Sequence, residues 1–88
     1  MGIFIKAEPY LVTFEVTVKD NIQRQIMEAP RIVLEQEFMR LVEQAANSPL
    51  PVKVKMARKV PIYDPFDKQI IERENSLVFT NKAWNERN

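Results

Sequence analysis

The segment from Pro30 to Asn47, PRIVLEQEFMRLVEQAAN, constrains the fold most, because it alone is long and periodic enough to specify a helix. Leu34, Phe38, Leu41 and Ala45 recur at spacings of 4, 3 and 4, which at about 100° per residue stacks them into one stripe that must be buried. Val42, Ala46, Met39 and Ile32 widen the apolar arc beyond the roughly 100° needed to sit on a single layer. A second cover for that flank is therefore expected. Gln36, Glu37, Arg40, Glu43 and Gln44 hold the opposite, solvent-facing side. Pro30 suits the first helical turn, where a missing N–H costs nothing. Asn47 tolerates a left-handed C-terminal cap, and Pro49 and Pro51 cannot continue the helix.

Strand patterns flank this helix. Ile3, Phe4 and Ile5 read as a short lead strand ending near Pro9. From Tyr10 to Lys19 the even residues Tyr10, Val12, Phe14, Val16 and Val18 alternate with Leu11, Thr13, Glu15, Thr17 and Lys19, the period of a sheet with one buried face. Asp20-Asn21 suits a tight turn. Ile22 to Glu28, weakly patterned, would return antiparallel as an edge strand. After the proline-rich connector Ser48 to Pro51, Val52 to Tyr63 alternates again. Val52, Val54, Met56, Val60 and Ile62 share one parity, interrupted by Arg58, and Pro61 implies an edge, a bulge or a separate short strand.

Asp64 to Glu74 fits a helix start at Asp64-Pro65 or a turn feeding a strand; the Ile70-Ile71 pair and the few available turns favour the hairpin. Asn75-Ser76 would then turn the chain into a last strand, Leu77 to Thr80. Asn81 to Asn88 reads as a frayed tail pinned by Trp84 or as a single helical turn. The expected fold is α+β in two layers: a mostly antiparallel sheet, built as hairpin, helix, then a two- to three-stranded meander, with one long helix packed on one face. The 88 residues enclose one core and so form a single domain, 1–88.

Composition narrows the chemistry. The chain has no Cys and no His and only one Gly, which removes thiolate and imidazole catalysis, the commonest transition-metal ligands, and glycine-rich phosphate loops. Ser48 and Ser76 have no activating partner. Asp64, Asp67, Glu72 and Glu74 form the densest acidic group, but their spacing lacks the alternating ligands, central glycine and terminal glutamate of a calcium loop. No enzyme activity, metal or cofactor is expected. No hydrophobic run suggests a membrane span or a signal peptide, so the expected setting is cytoplasmic, without a membrane partner.

Two binding readings remain. The leading one is a small non-catalytic protein-binding or regulatory module that meets a protein partner or a second copy of itself through the helix flank (Ile32, Met39, Ala46) and the lone tryptophan, Trp84. The alternative is a single-stranded nucleic-acid-binding domain. Lys53, Lys55 and Lys59 share one strand face with Tyr63, successive positions on such a face lie about 6.6 Å apart, and no acidic residue lies between Gln44 and Tyr63. A formal net charge of +1 and a single platform aromatic make that reading the weaker one, and exposed strand lysines also serve simply to discourage edge pairing.

Overall fold

The computed structural model describes residues 9–87. The elements run β1 (Tyr10–Val18), β2 (Asn21–Ala29), α1 (Arg31–Ala46), β3 (Val52–Asp64), β4 (Gln69–Thr80) and α2 (Lys82–Asn85). All strand pairs are antiparallel and the sheet order is β2-β1-β3-β4. The α+β architecture of hairpin, helix and meander is thus the one that the alternating patterns imply. The lead strand proposed at Ile3 to Ile5 lies outside the described residues.

Directly paired residues share a sheet face. Register therefore assigns Val12, Phe14 and Val16 of β1, Met27 and Ala29 of β2, Val52, Val54 and Met56 of β3 and Phe79 of β4 to the face that α1 covers. One core cluster joins Val12, Phe14, Ala29 and Leu34, and a second joins Ala45, Val52 and Val54; Phe38 and Leu41 pack against both. The stripe read from the 4, 3, 4 spacing is the stripe that packs. Arg58, which interrupts the apolar parity of β3, is accommodated by stacking on the Tyr10 ring, 3.7 Å from its centroid.

Several local expectations give way to tertiary pairing. The first hairpin turns at Lys19-Asp20, with Lys19 at φ 56°, because pairing runs without a gap to Val18 opposite Asn21 and leaves no room for Asn21 in the turn. Pro30 is the N-cap rather than a first-turn residue: its carbonyl accepts from the N–H groups of Val33 and Leu34 at 3.0 and 3.2 Å. Asn47 keeps a right-handed conformation at φ −89°, and the Ser48 N–H donates to the carbonyl of Ala45. Asn75-Ser76 is not a turn. These residues sit inside β4 opposite Arg58 and Ala57, and twelve consecutive pairs with β3 override their turn preference.

The segment from Asp64 onward is the expected hairpin. The Asp64 carboxylate accepts from the N–H of Phe66 at 2.9 Å, and Lys68 adopts φ 51° to enter β4. The C-terminal segment takes up the single helical turn, capped by Asn81. Among the described residues, β3 beyond Ala57 pairs with β4 alone. The two strands thus project as a two-stranded arm, Arg58 to Asp64 with Gln69 to Asn75, about 24 Å long at the usual rise. Pro61 lies in this arm, where β3 has one neighbour instead of two among the described residues. No helix among the described residues is long and apolar enough to cross a membrane.

The result is a flat molecule, 46 × 44 × 17 Å, with a radius of gyration of 16.5 Å. A compact chain of this length would have about 12 Å.

Candidate functional site

The helix flank is uncovered. Ile32 and Met39 are 64% and 61% exposed and share an open groove with Glu35, Gln36, Arg40, Val42 and Glu43. Ala46 is also exposed, seven residues beyond Met39 on the same stripe. Arg31 and Glu35 pair at 2.8 Å and Arg40 pairs with Glu37, so ion pairs edge this stripe. The hydrogen bond from Arg40 and its charge hold the Glu37 carboxyl below its ordinary range. Trp84 stands apart on α2, which packs against β3; it is half-buried, with the Arg87 guanidinium 5.3 Å from its ring. The four residues expected to form one interface therefore divide into a helix stripe and a separate C-terminal residue.

Lys53, Lys55, Lys59 and Tyr63 do share the open face of the sheet, as their parity requires. They do not stand there as a row of free cations. Lys55 pairs with Glu74 at 2.8 Å and Lys59 with Glu72 at 3.9 Å, both carboxylates coming from β4. Glu15 of β1 lies directly opposite Lys55 and pairs with Arg24 of β2 at 3.1 Å. The open face thus carries a ladder of alternating charge, Arg24, Glu15, Lys55 and Glu74, across all four strands. Its hydrogen bond to Glu74, followed by the charge of that carboxylate, raises the Lys55 ammonium above its ordinary value and lowers Glu74 below its own. Sequence distance from Gln44 to Tyr63 could not reveal acids that β1 and β4 bring alongside.

The same face and the arm expose much apolar surface. Leu11, Ile22, Ile26 and Val78 lie among the ladder charges, and Tyr63 and Ile70 face each other across the arm. Ile71 is exposed on the arm's other face, and Phe66 at the tip is 94% exposed. Among the described residues, thirteen large apolar side chains are exposed, beside a core of seven buried hydrophobic residues and eight partly buried ones packed against them. An isolated two-stranded ribbon is marginal in water, so this arm requires support that the described chain does not give it.

Sequence reasoning also passed over Asn81, which is 2% exposed. Its Nδ2 donates to the carbonyls of Ala45 at 2.8 Å and Leu50 at 2.7 Å, while its Oδ1 accepts from the N–H groups of Val52 at 3.0 Å and Trp84 at 2.9 Å. The Asn81 N–H completes the exchange by donating to the carbonyl of Val52 at 3.1 Å. One side chain therefore joins the end of α1, the connector, the start of β3 and α2. Its role is architectural. Arg87 adds a tether, donating to the carbonyl of Lys19 at 2.8 Å and pairing with Asp20.

Among the described residues, no group of three or more acidic side chains is arranged to hold a metal ion. Comparison with protein-family models, with curated proteins and with solved structures finds nothing that matches this chain.

Proposed function

We propose that this chain is a small, non-catalytic protein-binding module, and that the β3–β4 arm and the adjoining open sheet face meet a protein partner. The observation that carries the reading is the clustering of exposed large apolar side chains on that arm and face. Phe66 at the arm tip, with Tyr63 and Ile70 behind it, has the character of interface anchors, large apolar or aromatic groups rimmed by charge. The helix stripe of Ile32, Met39 and Ala46 is narrower and lies among Glu35, Arg40 and Glu43, which suits a secondary contact. A phosphate-tracking role for the strand lysines is weakened by the carboxylates of Glu74 beside Lys55 and Glu72 beside Lys59.

The test compares wild-type protein with a Tyr63→Ser/Ile70→Ser double variant as baits, crosslinked in cells of the source organism, circular dichroism having shown that both fold alike. A protein retained by the wild type and lost from the variant supports the reading. Identical retention by both removes the arm as the binding surface. A parallel titration with a single-stranded oligonucleotide over a salt series decides the alternative. Tight low-salt binding that is lost on Lys53→Ala/Lys55→Ala would replace the protein-binding reading with nucleic-acid binding.

A further inference from the structure

The two edges of the sheet are built differently. Edge strands normally carry charges, prolines or bulges that block pairing with another chain. β4 follows that rule with Glu72, Arg73 and Glu74 in succession. β2, NIQRQIMEA, does not. It has no proline and no lysine, and its two charges, Arg24 and Glu28, cancel. Its register with β1 is unbroken from Tyr10 opposite Ala29 to Val18 opposite Asn21, so no bulge turns the edge away. Among the described residues nothing pairs with its outer side, and its side chains from Asn21 to Ile26 are all exposed.

We propose that β2 pairs antiparallel with β2 of a second copy of this chain, centred on Ile26, and joins two four-stranded sheets into one of eight strands. The proposal rests on the protein-binding reading and names a partner for a surface that the arm does not use. Its warrant is self-complementarity, which a two-fold interface demands. With Ile26 opposite Ile26 of the second copy, Arg24 of each chain faces Glu28 of the other, on the open face where Ile26 also lies. Other registers lose this match. Centring the pair on Arg24 or on Glu28 opposes like charges, while centring it on Gln25 or Met27 sets a charged residue opposite an isoleucine.

Surface area points the same way. The chain exposes 7247 Å², whereas a compact monomer of 10.4 kDa would expose about 5,400 Å². Part of that surplus lies on β2, whose side chains from Asn21 to Ile26 are exposed. The two-fold axis stands perpendicular to the sheet, so both α1 helices lie on one side and both open faces on the other. The groove between α1 and β2, lined by Gln23, Gln25, Glu37 and Arg40, leaves room at the seam.

Light scattering coupled to size exclusion, over a concentration series, tests the pairing. Wild-type protein is expected at twice 10.4 kDa. Arg24→Glu and Glu28→Arg, each opposing like charges twice, should raise the dissociation constant about tenfold or more, and the double reversal should recover much of the loss. Ile26→Lys, which sets two ammonium groups face to face, should give monomer with an unchanged circular dichroism spectrum. A monomeric wild type at every concentration overturns the pairing, as does a dimer indifferent to these charge reversals. A dimer dissolved by Met39→Lys instead moves the interface to α1 and also overturns it. In each of these cases, loss of a partner on Tyr63→Ser/Ile70→Ser would still support the protein-binding reading, so the two fail separately.

Discussion

The carboxamide of Asn81 donates to the carbonyl of Ala45 at 2.8 Å, across 36 residues of sequence, and fastens the C-terminal end of α1 to the end of β4. Because the same side chain also satisfies Leu50, Val52 and Trp84, its loss strands several buried polar groups at once. Asn81→Ala is expected to cost about 2–4 kcal/mol in urea denaturation. Asn81→Asp keeps the acceptor for Val52 and Trp84 but removes the donor to Ala45 and Leu50. It should be comparably destabilising at neutral pH and less so in acid, where a protonated carboxyl can donate again. Equal stability of all three proteins at neutral pH would refute the role.

Leu34 and Met39 sit on opposite sides of α1, at 2% and 61% exposure. Leu34→Ala should lose about 2–5 kcal/mol through the cavity it leaves between Val12 and Phe14. Met39→Ala should stay within about 0.5 kcal/mol of wild type. A comparable loss at Met39 in denaturant titration would mean that the flank is covered in solution.

Lys19 and Lys68 both hold positive φ, at 56° and 51°. A side chain in this region costs about 1 kcal/mol or more relative to glycine, partly offset by the extra freedom glycine has when unfolded. Lys19→Gly and Lys68→Gly should therefore raise the thermal midpoint slightly, with Lys68→Gly acting on the arm. A fall in both midpoints would contradict the turn geometry.

The Lys55–Glu74 pair makes stability depend on pH in a defined direction. Glu74 has its carboxyl lowered from the ordinary 4.5, so its contribution is present above that value and is lost as pH falls through the folded value beneath it. Lys55 is raised from 10.5, so its contribution is present below 10.5 and disappears as pH climbs through the higher folded value. Glu74→Gln should flatten the acid limb of a midpoint-versus-pH curve and bring the Lys55 ammonium, followed by NMR, back toward its ordinary value. An unshifted Lys55 titration would show that the pair does not persist in solution.

What the sequence made legible and what it hid separate by distance along the chain. The helix stripe of Leu34, Phe38, Leu41 and Ala45 and the alternation from Tyr10 to Val18 are local periodicities, and both pack as they read. The first hairpin and the Asp64 hairpin were likewise visible, since turn chemistry acts within a few residues. Asn75-Ser76 misled because local turn preference is small beside continuous pairing with β3. The carboxylates beside Lys55 and Lys59 were invisible for another reason. They arrive from β1 and β4, and only register brings Glu15, Glu72 and Glu74 to that face. Asn81 could be read locally only as the cap of α2, for its other side-chain partners lie 29 to 36 residues upstream.

The position of Asn81 in the order of synthesis carries a kinetic consequence. The end of α1, the connector and the start of β3 are all made before the residue that joins them, and a domain generally folds as a unit. Until residue 81 is available, the carbonyl of Leu50 and the N–H of Val52 lack their partner, and α1 has no hydrogen-bonded link to the far side of the sheet. The core contacts of Leu34 and Ala45 with β1 and β3 do not wait for residue 81, whereas the hydrogen-bonded closure of the connector does.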